Sequence, residues 1–137
     1  SQLVHSLIAE GRLKLKKQYA KTVTYHDPCY LGRHNGVYDE PRAALKSVPG
    51  LTLKEMPESR NNSFCCGGGG GRIWMETPKG ERFSDLRLAQ AVDAGAQVLA
   101  TACPYCITNF EDSRLTRPDG GGSIEVKDIT EIIRDAL

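Results

Sequence analysis

Short apolar runs alternate with amphipathic segments along most of the chain. Runs rich in β-branched and apolar residues, or alternating between apolar and polar positions, predict strands over residues 22–26, 51–56, 96–101 and 124–126. Apolar residues at helical spacing predict helices over residues 2–10, about 39–47, 84–95, from 103 onward and 128–137. Ser84 is the expected N-cap of the third helix, and Gly11 and Gly95 are the expected C-terminal glycines of the first and third. A glycine-rich loop over residues 118–123 precedes the last strand.

This order of elements predicts an α/β fold. Strands that alternate with helices form a mostly parallel sheet, here of about four strands, with right-handed crossovers and helices on its faces. The third strand is apolar enough to lie in a sheet that is covered on both faces. The fold is Rossmann-like but lacks a nucleotide fingerprint, because the third glycine of G-x-G-x-x-G, counted from Gly67, falls at Arg72.

Length and composition indicate one soluble globular domain. The chain has 137 residues, of which 39% are hydrophobic and 26% charged, and these values allow a core of ordinary size. We expect a helix and connector over residues 1–21, followed by the main domain over residues 22–137. The first helix is interpreted as a docking helix or the end of a linker, with a membrane-surface helix as the alternative. Because the chain starts with Ser1 in a predicted helix, we expect it to be a domain of a longer protein.

The charge and hydropathy of the chain argue against two classes of partner. The formal net charge is +1 and no basic run is long, so no nucleic-acid partner is expected. No apolar stretch reaches the roughly 18–20 residues of a membrane span. Any attachment to a membrane would therefore come through the parent protein.

Five cysteines are the most informative residues of the chain. Their odd number excludes complete intramolecular disulfide pairing, and the chain has no secretory features. They therefore indicate metal or redox chemistry in a reducing compartment, with the cytoplasm as the expected location. Cys29 and Cys103 follow predicted strands, so both should lie at the carboxyl edge of the sheet, where open α/β sheets place their sites.

The remaining cysteines lie in unusual surroundings. Cys65 and Cys66 are adjacent and are followed by five glycines, residues 67–71. Such a run lets the backbone adopt positive φ and fold its N–H groups into an anion-binding nest, which suits thiolates and bridging sulfides. The sequence therefore predicts a metal or cluster site at Cys65 and Cys66.

The complete spacing resembles the cysteine-rich "CCG" domain. Thirty-five residues separate Cys29 from Cys65-Cys66-Gly67, and another 35 precede Cys103-x-x-Cys106. That domain occurs in heterodisulfide reductase and in iron–sulfur subunits of several other oxidoreductases. It also occurs in membrane-associated oxidoreductases that take electrons from electron-transfer flavoprotein, and the sequences of residues 26–36 and 100–106 are most similar to these.

The resemblance implies a cofactor and a role. In well-understood members it implies a noncubane [4Fe–4S] cluster, here held by Cys29, Cys65, Cys66, Cys103 and Cys106. The implied role is electron transfer within a heterodisulfide-reductase-like oxidoreductase, or disulfide reduction at the cluster itself. The implied partners are other redox domains or subunits of the parent protein and electron-transfer flavoprotein.

Two alternatives remain open at this stage. Some relatives bind zinc in one copy of the domain, which would make this a structural Zn²⁺ module that uses four of the five thiolates. The tetrapeptide Cys103-Pro104-Tyr105-Cys106 also occurs in glutaredoxins, where it performs thiol–disulfide exchange. That interpretation gives no role to Cys29, Cys65 or Cys66.

Several residues near the cysteines are candidates for supporting roles. They could tune the site or contact a substrate, or could simply be ordinary structural or surface residues; they are His26, Arg33, His34, Gly67, Gly68, Arg72 and Tyr105. His26 could equally end a strand with a satisfied hydrogen bond, and Arg72 could be a solvated surface residue. Tyr105 is expected to shield the site from water, and Trp74 is expected in the core or at an interface.

Overall fold

The computed structural model describes residues 1–78, 80–116 and 124–137. The strands are β1 (Thr22–Tyr25), β2 (Thr52–Leu53), β3 (Val98–Thr101) and β4 (Glu125–Asp128). The helices are α1 (Gln2–Ala9), α2 (Asp39–Lys46), α3 (Phe83–Asp93), α4 (Pro104–Thr116) and α5 (Ile129–Asp135). All four strands are parallel, in the order β2-β1-β3-β4. The predicted α/β fold is confirmed, whereas the glycine-rich loop over residues 118–123 lies outside the described residues.

Some element boundaries differ from the prediction. β2 has two residues instead of six, because it is an edge strand that pairs only with β1 before the chain turns away. Ser84 is not an N-cap: α3 begins at Phe83, and the buried Ser84 hydroxyl instead accepts a hydrogen bond of 2.6 Å from Ser113 of α4. Gly11 and Gly95 do follow helix ends with positive φ, as predicted.

The sheet is covered on both faces. One cluster of buried side chains joins the sheet to α2 and α5, and apolar residues of α1 pack against the same cluster. A second cluster joins the other face to α3 and α4. All four residues of β3 are buried, as expected for a strand between two layers of helices. No helix of the described residues is long and apolar enough to cross a membrane.

The strand order places a switch point between β1 and β3. From β1 the chain runs outward to β2 through α2, and then returns through α3 to the other side of β1. The carboxyl ends of β1 and β3 are therefore adjacent, and the loops that follow them diverge to opposite faces. Open α/β sheets bind their ligands at such a point.

A buried ion-pair network fixes the loop after β1. Arg42 of α2 donates to both carboxylate oxygens of Asp27, at 2.6 and 2.8 Å, and to both of Glu55, at 2.7 and 2.9 Å. Asp27 also accepts a hydrogen bond of 2.7 Å from the backbone N–H of Arg60. Burial alone would lower the pKa of Arg42, but its bonds to Asp27 and Glu55 raise it above the ordinary value. The network thus connects β1, α2 and the segment that leads to Cys65.

We predict that Arg42→Met destabilises the chain by about 3–5 kcal/mol, because it leaves the Asp27 carboxylate buried without its partner. Chemical denaturation of the metal-free, reduced chain measures this change. The double variant Asp27→Asn/Arg42→Met should recover part of the loss, since it removes the unpaired charge. Arg60→Ala, which breaks an exposed ion pair with Asp39, should have little effect. A loss of under about 1 kcal/mol for Arg42→Met would contradict the assignment of this network.

Candidate metal centre

The first cysteine lies in a tight turn after β1. The backbone N–H of Gly32 donates to the carbonyl of Pro28 at 2.9 Å, and that of His34 donates to the carbonyl of Cys29 at 3.0 Å. The Arg33 guanidinium reaches out of this turn to the Ser63 carbonyl at 2.6 Å. The Cys29 turn is thereby tied to the segment immediately before Cys65 and Cys66.

The double cysteine is held by the backbone of the glycine run. The N–H of Gly67 donates to the sulfur of Cys65 at 3.3 Å, and the N–H of Gly68 donates to the sulfur of Cys66 at 3.4 Å. Gly67 has a φ of +82°, which L side chains rarely adopt. Asn109 of α4 donates to the Cys66 carbonyl at 3.1 Å. Successive amides point at successive sulfurs, as the predicted nest requires.

The last two cysteines are placed by the start of α4. Backbone N–H groups of Tyr105 and Cys106 point at the sulfur of Cys103, and the sulfur of Cys106 lies 3.2 Å from that of Cys66. The hydrogen bond from Cys106 and these two amides lower the pKa of Cys103 to about 6, against an opposing effect of burial. The helix N-terminus therefore favours the thiolate of Cys103.

All five cysteines are free thiols, and among the described residues the ligand atoms that all lie within 4.8 Å of one another are those of His26, Cys66 and Cys106. Cys66 and Cys106 are buried, whereas Cys29, Cys65 and Cys103 are half-buried. Hydrogen bonds from Cys106 and Cys65 lower the pKa of Cys66, and donation to Cys66 raises the pKa of Cys65. Cys29, Cys65 and Cys66 line a common cavity of about 10 Å³. In the metal-free chain these sulfurs share protons that a bound metal would displace.

His26 lies beside the two buried sulfurs. Its ring lies edge-on to Phe110 at 4.8 Å, and one ring nitrogen lies within 4.8 Å of the sulfurs of both Cys66 and Cys106. Burial lowers the pKa of His26, which favours the neutral ring. The ring also makes a hydrogen bond with Cys66 that contributes to the lowered pKa of that thiol. His26 therefore has both a satisfied hydrogen bond and contact with the site.

The other candidate side chains contact aromatic rings or solvent. His34 is exposed and packs against the Tyr30 ring, with centroids 5.6 Å apart. Arg72 lies over the Phe83 ring, 4.5 Å from its centroid. The ring of Tyr105 is 63% exposed and lies largely in solvent, whereas the sequence predicted a shield over the site. Trp74 is 87% exposed and is not part of the core.

Two supporting residues were missed by the sequence analysis. Arg87 of α3 is fully buried and donates to His26, and Asn109 holds the Cys66 carbonyl. The signal for Arg87 was its position beside Leu88 and one turn before Ala91, on the buried face of α3. A charged residue on an apolar helix face indicates a specific buried partner.

A cleft of about 500 Å³ opens beside the cysteines. Cys66 and Gly67 form part of its wall, and Arg72, Phe83 and Asn109 also line it. Cys66, one of the two buried cysteines, is therefore next to space that a small molecule or a partner side chain could occupy.

Comparison with known proteins identifies the family. A family model for the CCG cysteine-rich domain matches residues 23–111. This chain belongs to the CCG cysteine-rich domain family. The resemblance inferred from the cysteine spacing is confirmed, and the match includes all five cysteines.

Curated relatives of this CCG domain are redox proteins. The whole chain is 36% identical to a probable iron-sulfur-binding oxidoreductase, FadF, of Bacillus subtilis, covering 19% of that protein. It is 36% identical to EtfAB:quinone oxidoreductase of Syntrophomonas wolfei, covering 20% of it. It is 37% identical to a subunit of the dihydromethanophenazine:CoB--CoM heterodisulfide reductase of Methanosarcina barkeri, covering 33% of that subunit. The chain thus spans between about a fifth and a third of the length of these relatives.

The residues of the site fit an iron–sulfur cluster. Thiolates are the usual protein ligands of such clusters, and this site offers five of them. Hydrogen bonds to sulfurs are a further feature of such centres, and the amides of Gly67 and Gly68 point at the sulfurs of Cys65 and Cys66.

We predict that Gly67→Ala destabilises the metal-free chain by about 1–2 kcal/mol, because alanine is strained at this positive φ. Its Cβ would also lie 3.2 Å from the Cβ of Phe83. Gly69→Ala is the matched control from the same run: its Cβ would meet no atom within 4 Å and its φ is not positive. Denaturation of both variants tests this expectation, and equal stabilities would show that Gly67 is not a constrained position.

Proposed function

We propose that this CCG domain is the iron–sulfur electron-transfer domain of a larger heterodisulfide-reductase-like oxidoreductase. Cys29, Cys65, Cys66, Cys103 and Cys106 hold a noncubane [4Fe–4S] cluster. The single observation that supports this proposal is the proximity of free thiols from separate segments: the sulfurs of Cys66 and Cys106 lie 3.2 Å apart, and Cys29 and Cys65 line one cavity with Cys66. Relatives named as iron–sulfur-binding and as part of a heterodisulfide reductase support the role.

The number and surroundings of the thiols favour a cluster over a zinc ion. Tetrahedral zinc uses four ligands and would leave one of the five thiols without a role. Backbone amides that point at the sulfurs of Cys65, Cys66 and Cys103 suit a centre with several negatively charged sulfurs. None of the three relatives described above is named for zinc.

The protein residues have separate tasks at this centre. When bound, the cluster would supply one-electron redox chemistry. The buried Cys66 and Cys106 would hold it from the interior, and the half-buried Cys29, Cys65 and Cys103 would hold it on the side nearer to solvent. The amides of Gly67 and Gly68 offset thiolate charge without adding a titratable group.

The parent protein supplies the remaining redox centres. We propose that other redox domains or subunits of that protein are the direct partners, with electron-transfer flavoprotein as a further partner, as the name of the Syntrophomonas relative suggests. Residues 1–21 form a helix and connector that dock on residues 22–137, the domain itself. The proposed location is the cytoplasm or the cytoplasmic face of a membrane, reached through the parent protein.

A second candidate is reduction of a disulfide substrate at the same centre, which the cleft beside Cys66 favours. Two successive one-electron reductions of the centre by its electron donor, with two protons from solvent, would convert the disulfide into two thiols. Anaerobic consumption of a small organic disulfide by the reduced, cluster-loaded chain would support this activity. Electron transfer to a dye without disulfide consumption would support a relay alone.

We predict that the chain, when it is purified and reconstituted anaerobically, is brown and contains about four irons and four sulfides, as a [4Fe–4S] cluster requires. Cys65→Ser or Cys66→Ser should abolish most of the bound iron, because each removes a buried or half-buried ligand. Ser47→Ala, at the far end of α2, is the control and should retain iron. Iron, sulfide and zinc analysis with an absorption spectrum measures these outcomes.

Two results would contradict the proposed cluster. A colourless protein with about one zinc, unchanged by dithionite, would make this a structural module. Full iron content in both cysteine variants would also contradict the proposed ligand set.

A further inference from the structure

Arg87 is a fully buried cation behind the cysteine site. Its Nη1 donates to the Glu58 carbonyl at 2.8 Å and to Oε1 of Gln90 at 2.6 Å, and its Nη2 donates to the Ser63 hydroxyl at 3.3 Å. Its Nε donates to Nδ1 of His26 at 3.3 Å. These four acceptors are all uncharged, and they are the acceptors of Arg87 within the part of the chain that the structure describes.

A cation in this position needs a physical reason. Taking a guanidinium out of water is unfavourable unless negative charge compensates for it. Asp27, Glu58 and Glu55 contribute at longer range, without direct contact between their carboxylates and Arg87. Beyond His26 lies the cysteine site: a ring nitrogen of His26 is within 4.8 Å of the sulfurs of Cys66 and Cys106. The placement of Arg87 therefore points toward the site.

Arg87 also determines which ring nitrogen of His26 carries the proton. A guanidinium only donates hydrogen bonds, so the His26 Nδ1 that faces it must present a lone pair. The ring proton then lies on Nε2, and the hydrogen bond between His26 and Cys66 is a donation from the ring to the sulfur. A nitrogen that carries this proton cannot bind a metal, although His26, Cys66 and Cys106 are close enough together to form a metal site.

We propose that Arg87 is a positioning residue that holds His26 as a hydrogen-bond donor to Cys66, keeps it out of the ligand set, and raises the reduction potential of the centre. A donor to a ligand sulfur and a buried cation both stabilise the more negative, reduced state. The effect on potential rests on the proposed cluster function, whereas the state of His26 can be tested in the metal-free chain.

The first test is ¹⁵N NMR of the histidine ring in the reduced, metal-free chain. The expected result is a protonated Nε2 and an unprotonated Nδ1 for His26. In Arg87→Met the constraint on Nδ1 is removed, so the Nδ1-protonated form should become detectable. A protonated Nδ1 in the unsubstituted chain would overturn the proposal, and this measurement does not depend on whether any variant folds.

The second test is a redox titration of the cluster-loaded chain. Arg87→Met should shift the reduction equilibrium at least tenfold toward the oxidised form, about 59 mV for a one-electron couple. Arg87→Lys keeps the charge and should recover most of the shift. Leu45→Ala, which removes a fully buried side chain from the opposite face of the sheet, controls for general destabilisation and should not lower the potential. If Arg87→Met does not fold, Arg87→Gln replaces it, because glutamine removes the charge but retains a donor.

The two tests distinguish failure of the proposed role of Arg87 from failure of the proposed cluster function. Unchanged potentials in the Arg87 variants, in chains that do bind iron, would overturn the role of Arg87 and leave the cluster intact. A protonated Nε2 in a chain that binds no iron would support the arrangement of His26 and Arg87 while contradicting the cluster.

Discussion

The ion pair between Asp27 and Arg42 holds together the edge of the sheet on which the site depends. Asp27 lies two residues before Cys29, and its carboxylate also accepts the backbone N–H of Arg60, five residues before Cys65. One buried carboxylate therefore fixes two of the three cysteine-bearing segments relative to α2. Because both charges are buried, neither can leave without exposing the other to an apolar environment. The third segment, at the start of α4, is placed by β3, which pairs directly with β1.

Positive charge and N–H dipoles surround a group of sulfurs that would otherwise repel one another. Backbone amides of the glycine run and of the first turn of α4 point at three of the sulfurs. His26 adds one side-chain hydrogen bond, and Arg87 lies behind it as a full charge. This environment suits a centre whose charge changes by one electron, since the compensating groups are fixed and do not need to move.

Much of the fold and the site could be predicted from the sequence. Alternating apolar runs predicted the α/β class, and the spacing of the cysteines predicted the family that the comparisons confirm. Cys29 and Cys103 could be placed at one edge because each follows a strand of a parallel sheet. The predicted N-cap at Ser84 was wrong because a tertiary contact with Ser113 uses the hydroxyl that capping would have required.

Sequence patterns could not predict contacts between distant residues. Arg87 and His26 are 61 residues apart, and no local periodicity indicates that they meet. The exposure of Tyr105 was also unexpected, because the helical turn directs its ring outward while Cys106 points inward.

The central claim is that five thiolates hold one iron–sulfur cluster. Anomalous diffraction at the iron edge from anaerobically grown crystals of the loaded chain tests it most directly. We predict iron sites in contact with the sulfurs of all five cysteines, with His26 outside the ligand set. Iron bound to four or fewer of these sulfurs, iron ligated by His26, or no iron in the site would contradict this claim.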